Sequence, residues 1–107
     1  MEKIQMRKII DGKLYNTDTA LRLYDYDNKL YTTDFHYYSE TLYKTKKGAY
    51  FLLEEGGAMS KMAESNGHAT FGGIDIKAFS PAEAQEYLIM RQAIDIFEIE
   101  FGFLEEA

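Results

Sequence analysis

The stretch ETLYKTKKGAYFLLEEGG, residues 40–57, sets two apolar and aromatic runs on either side of a short polar turn that ends in Gly48. Each run is too short for a stable helix and rich in the residues that suit a pleated surface, while glycine supplies the positive φ a tight reversal needs. An antiparallel hairpin is therefore expected at the centre of the chain. The upstream run reaches back to Phe35. Phe35, Tyr37, Ser39, Thr41 and Tyr43 alternate with His36, Tyr38, Glu40, Leu42 and Lys44, the period of one long half-buried strand.

The flanking segments carry the same signals. MRKIIDGKLYNT places Asp11-Gly12 between two apolar runs, a pair suited to a type I′ turn. ALRLYDYDNKLYTT repeats the idea, with Asp27-Asn28 as its turn, Leu21, Leu23 and Asp25 on one face, and Arg22, Tyr24 and Tyr26 on the other. Residues 56–73 are too rich in Gly, Ser and Asn for regular structure and are expected to form a loop, with room for a helical turn between Ala58 and Ser65. IDIKAF alternates again and reads as a last strand.

The chain changes character at its only proline. Ser80 as N-cap, Pro81 in the first turn and Glu83 three residues after the cap form a capping box that opens a helix. Ala84, Tyr87, Leu88 and Arg91 then share one side of it. The following AIDIFEIEFGFLEE fits two patterns: Ile94, Phe97, Phe101 and Leu104 at helical spacing, or Phe97, Ile99, Phe101 and Phe103 alternating as a strand, with the helix preferred. The expected fold class is α+β: an antiparallel sheet of about five or six strands, a meander of hairpins, with one or two C-terminal helices packed on it. A chain of 107 residues forms one domain, 1–79 its sheet half and 80–107 its acidic, mainly helical end.

Charge follows the same boundary. Residues 1–80 hold 11 basic and 11 acidic side chains, whereas 81–107 set Arg91 alone against Glu83, Glu86, Asp95, Glu98, Glu100, Glu105 and Glu106, so the net −6 lies wholly in the C-terminal end. Such an end repels nucleic acid and attracts a basic protein. The chain has no cysteine, no apolar run of signal-peptide length near its start and none long enough to span a membrane. A cytoplasmic protein is expected.

Chemical motifs are sparse. His36 and His68 lack partners at metal-ligand spacing, so neither a metal nor another cofactor is expected. Ser60 and His68 are not accompanied by a nucleophile elbow. GGAMSK lacks the residue order of a phosphate loop, and DYDN at 25–28 has Leu30 and His36 where a calcium loop needs glycine and glutamate. Neighbouring acids such as Glu54-Glu55 point to opposite faces of a strand and make poor acid-base partners. No catalytic residue is assigned. Eight of the nine tyrosines lie in the sheet half, where an apolar ring with a solvated hydroxyl suits a sheet covered on one side.

RKIIDGKLYNTDTA, DFHYYSETLYKTKKGAYFLLEEGGAMSKMAES and DIKAFSPAEAQEYL, taken in order, resemble a family of small proteins carried by plasmids, conjugative elements and phages of Gram-positive bacteria. The likeness spans most of residues 7–90 and carries no catalytic signature. AIDIFEIEFGFLEEA departs most from the family pattern, being more apolar between its acids. Small acidic proteins from that setting include anti-CRISPR proteins, and the resemblance implies their mode of action: occupation of a basic nucleic-acid channel in a Cas effector. Together with the charge map it leads us to expect a non-enzymatic inhibitor that binds a basic nucleic-acid-handling protein such as Cas9. Glu83, Glu86, Asp95, Glu98, Glu100, Glu105 and Glu106 are its expected contacts. The alternatives are a homodimeric structural or regulatory module, for which the surplus of apolar residues at 94–103 speaks, and a nuclease acting on guide RNA.

Overall fold

The structure is a computed structural model and describes residues 5–107. β1 (Arg7–Ile10) and β2 (Lys13–Asn16) form the first hairpin. Asp11 and Gly12 both have positive φ, 51° and 75°, as the type I′ turn demands. The main sheet contains β3 (Leu21–Asp27), β4 (Tyr38–Lys44), β5 (Tyr50–Gly56) and β8 (Gly73–Phe79) in the order β3-β4-β5-β8, all antiparallel. β6 (Glu64–Ser65) and β7 (Thr70–Phe71) make a small separate hairpin. α1 (Pro81–Met90) and α2 (Ile94–Phe101) close the chain. The α+β class stands, with the strands divided among three sheets. No helix among the described residues is long and apolar enough to cross a membrane.

Four local expectations are overturned. Asp27-Asn28 does turn the chain, with Asp27 Oδ1 accepting the Lys29 amide at 2.7 Å, but no return strand follows. Instead Asn28 closes a loop: its amide donates to Tyr38 O and its side chain spans to His36 O and the Tyr38 amide. That loop takes up Phe35, His36 and Tyr37, so the strand expected from Phe35 begins only at Tyr38. The alternation of β3 is broken by a bulge between Arg22 and Tyr24: Leu23 and Tyr24 both pack on the helix side, and Arg22, expected beside Tyr24 and Tyr26, lies instead with Asp25, to which it is paired. Between Ala58 and Ser65 the chain makes two consecutive tight turns, Gly57 O to Ser60 N and Ser60 O to Ala63 N, followed by β6 in place of a helical turn.

The sheet is covered on both faces, not one. Leu42 and Leu52 pack beneath Tyr87, Leu88 and Phe97 of the helices, while Tyr43, Phe51, Leu53 and Ile76 on the reverse face meet Met6, Ile10 and Tyr15 of the first hairpin. Each fully buried Leu, Ile or Phe contributes about 2 kcal/mol relative to exposure. Tyr15 meets Phe51 edge-on at 5.6 Å, and Tyr43 stacks on the same ring at 5.0 Å, so the hairpin is tied down by aromatic contact.

α1 begins with the expected capping box: Ser80 Oγ accepts the Glu83 amide at 3.1 Å and Glu83 Oε1 accepts the Ser80 amide at 2.8 Å. It ends in a Schellman motif, Gln92 N–H donating to Ile89 O and Ala93 N–H to Leu88 O, with Gln92 at φ 57°. The segment 94–101 is helical, and its packed stripe is Ile96, Phe97 and Phe101. Ile94 and Leu104, expected on that stripe, are exposed. The reversal after α1 sets the phase of α2, a choice the apolar spacing leaves open.

Candidate functional site

Two places concentrate charge. The first lies between sheet and helices, where Glu40 and Glu54 stand directly opposite each other on β4 and β5, 4% and 6% exposed. Two like charges facing across a ladder repel, and burial makes ionising both costly. Their oxygens are therefore heavily supplied with donors. Tyr38 Oη lies 2.6 Å from both Glu40 Oε2 and Glu54 Oε2, its single proton serving the pair. Glu40 Oε1 accepts from Tyr87 Oη at 2.8 Å and from Arg91 Nη2 at 2.6 Å. Lys61 and Lys77 approach Glu54 at 3.2 and 3.5 Å. Arg91 is stacked 3.5 Å above the Tyr26 ring, so the bulge that turns Tyr26 toward the helices also provides its platform.

The electrostatics follow from the geometry. Burial raises the Glu40 carboxyl, but hydrogen bonds from Tyr38, Tyr87 and Arg91 outweigh it and leave Glu40 below its ordinary range. Glu54 is lowered in the same way, burial being overcome by Tyr38 and Lys61 and by the charge of Lys77. Burial and the two carboxylates push the Tyr38 phenol far upward, and burial with Glu40 does the same to Tyr87. Both carboxylates are thus ionised, and each of their oxygens is within reach of a donor or cation. This arrangement suits a fastener better than a proton-transfer centre: through Glu40 it ties α1 to β4, and through Lys61 it ties in the loop after β5.

That loop is held by close backbone approach. A Cβ on Gly57 would sit 2.6 Å from Phe35 O, and the Gly57 and Met59 amides donate to Tyr37 O and Phe35 O. The glycine pair of EEGGAMSK is a packing requirement that delivers Lys61 to Tyr38 and Glu54.

Neither Glu40 nor Glu54 is among the expected contacts, because adjacency in the sequence does not reveal acids that meet across a ladder. A signal was present: counting outward equally from the turn at Thr45 to Ala49 sets Glu40 against Glu54. The hydroxyls of Tyr38 and Tyr50, expected to be solvated, bind carboxylates instead, as does that of Tyr87 on α1.

The second place is the C-terminal surface, where the seven expected contacts separate into two kinds. Glu83 is occupied by the capping box. Glu100 is turned inward, its carboxylate at 2.9 Å from Lys44 Nζ and 3.0 Å from Tyr50 Oη, fastening α2 to the sheet. Glu98 is half-buried and accepts the Leu104 amide at 3.3 Å. Glu86, Asp95, Glu105 and Glu106 are exposed and form no ion pair among the described residues. Asp95 and Glu98 lie on the solvent side of α2 between Ile94 and Ile99, the latter 77% exposed, with Phe103 91% exposed just beyond. Arg91, the one cation of this end, is committed to Glu40. From Ile94 to Glu106, exposed carboxylates and uncovered apolar side chains thus alternate along the chain. No group of residues suited to a metal ion occurs among the described residues. Comparison of the chain with protein-family models, curated proteins and solved structures returns no match.

Proposed function

We propose that the protein is a non-enzymatic inhibitor of the anti-CRISPR kind, which binds a basic nucleic-acid-handling protein through its C-terminal surface and so keeps nucleic acid from that site. The supporting observation is that Glu86, Asp95, Glu105 and Glu106 are exposed, that Ile94, Ile99 and Phe103, neighbours of the last three along the chain, are uncovered, and that Arg91 is neutralised internally. Free carboxylates steer a cationic surface into contact, and exposed Ile and Phe side chains supply the desolvated centre that charge alone lacks. Glu83 and Glu100, occupied within the fold, contribute to shape more than to contact.

The test is a plasmid-interference assay in cells expressing Cas9, paired with a binding measurement on the purified proteins at rising salt. The triple variant Glu86→Lys, Glu105→Lys and Glu106→Lys should lose protection in cells and weaken binding by about tenfold or more at low salt, with the difference shrinking as salt screens it. Full activity of that variant overturns the reading, and cleavage of guide RNA by the purified chain favours a nuclease. The exposed Ile94, Ile99 and Phe103 also suit a homodimer. Dimers in sedimentation without binding to Cas9 would select that second reading.

A further inference from the structure

The two edges of the main sheet are finished differently. At β8 the outward-facing main chain is capped at its centre, Ile76, whose amide donates to Asp75 Oδ1 at 2.8 Å and whose carbonyl accepts Lys8 Nζ at 3.2 Å, with Lys8 and Asp75 themselves paired. Side chains that occupy edge groups in this way prevent another strand from adding there. The opposite edge, β3, has no such cover. Among the described residues β3 pairs with β4 alone, and no backbone hydrogen bond outside the ladders involves residues 21–27.

The register shows which groups are open. Asn28 N–H donates to Tyr38 O, and residues in an antiparallel ladder alternate between facing the partner strand and facing away. Tyr24 and Tyr26 thus turn their main chain to β4, whereas Asp25 and Asp27 turn theirs outward. The side chains of these two aspartates are exposed on the face away from the helices, beside a cleft of about 400 Å³ between the sheet and the loop after β3. Leu30, Tyr31, Tyr37 and Tyr43 line it, and Tyr31 is 86% exposed. Arg22, paired with Asp25 at 3.2 Å, leaves the edge with one negative charge in excess.

Charge decides between occupants. Two copies pairing β3 to β3 about a twofold axis match outward-facing residues with one another, so a register centred on Tyr26 sets Asp25 against Asp27, and one centred on either aspartate sets that aspartate against its own copy. Like charges directly opposite destabilise a ladder, and opposite charges stabilise it. The bulge also restricts regular pairing to the few residues that follow it. We propose that the β3 edge from Tyr24 to Asp27 accepts an extended segment of another protein with lysine or arginine at alternate positions. Its main chain pairs with Asp25 and Asp27, and its cationic side chains lie over their carboxylates with their apolar stems against the cleft wall. This site is remote in sequence from the C-terminal surface and does not rest on the function proposed for it.

Amide exchange by NMR on the full chain tests the proposal, with a short peptide alternating lysine and valine as probe and a glutamate and valine peptide as control. The lysine peptide should slow exchange at Asp25 and Asp27, leave Ile76 unchanged and bind about tenfold more tightly than the control. Asp25→Lys should reverse the preference between peptides while the helix amides keep their spectrum, and the triple lysine variant of the C-terminal surface should bind as the parent does. Equal binding of both peptides, protection confined to Ile94–Phe101, dimerisation through β3, or no protection at millimolar peptide would each overturn it.

Discussion

Glu40 shows how one side chain can decide whether two layers stay together. It sits on β4 with its carboxylate held by Tyr38, Tyr87 and Arg91, three residues from both sides of the sheet-helix junction. Glu40→Gln keeps the shape but removes the charge, leaving Arg91 beside a neutral amide and one hydrogen bond too few. Loss of one member of a buried pair leaves the other uncompensated, so this change should destabilise the fold by about 3 kcal/mol, read as a lower urea midpoint at constant slope. Retention of wild-type stability would show that the network adds nothing to the packing around it. Arg91 is not replaceable by lysine on this view, because the flat guanidinium both forks onto Glu40 and stacks on Tyr26.

At the scale of elements, the link between the helices stands out. Gln92 adopts φ 57° to let the Schellman bonds form, a conformation that costs a side-chain-bearing residue about 1 kcal/mol and glycine nothing. Gln92→Gly should therefore raise stability by about 0.5 kcal/mol after the extra flexibility of the unfolded chain is subtracted, a rise of a few degrees in melting temperature. A fall in melting temperature would mean that the Gln92 side chain, which donates to Ile89 O, matters more than the backbone. The elements also differ in how plainly the sequence announces them. Asp11-Gly12, the turn before Ala49 and the Ser80 box are local devices whose geometry is contained in a few residues, and each forms as expected. The segment after Asn28 fails as a strand because Asn28 bonds across the loop to His36 and Tyr38, a tertiary closure that alternation does not register.

Across the whole molecule, acid should be the most informative perturbation. Glu40 and Glu54 titrate below their ordinary value of 4.5 in the folded protein, so the unfolded chain takes up protons first as pH falls. Their stabilising contribution is complete above that value and disappears as pH drops through their lower folded values. Asp75, lowered chiefly by Lys8, adds to the same trend, while Glu55, raised by burial, opposes it. Urea midpoints should be flat from neutrality to about pH 5 and fall steeply below it, and Glu40→Gln should flatten that fall. An unchanged slope in the variant would place the acid sensitivity elsewhere.

Two hairpin turns, at Asp11-Gly12 and before Ala49, the boundary at Ser80, the α+β class and the gathering of negative charge at one end are legible in the sequence alone, because each depends on residues close together in the chain. Only the tertiary structure decided which acids remain free. Glu100 is drawn inward by Lys44 and Tyr50, Glu40 meets Glu54 across a ladder, and a bulge in β3 changes which side chains face the helices. Those outcomes depend on register and on the direction in which helices return to the sheet, and the packing of distant segments sets both.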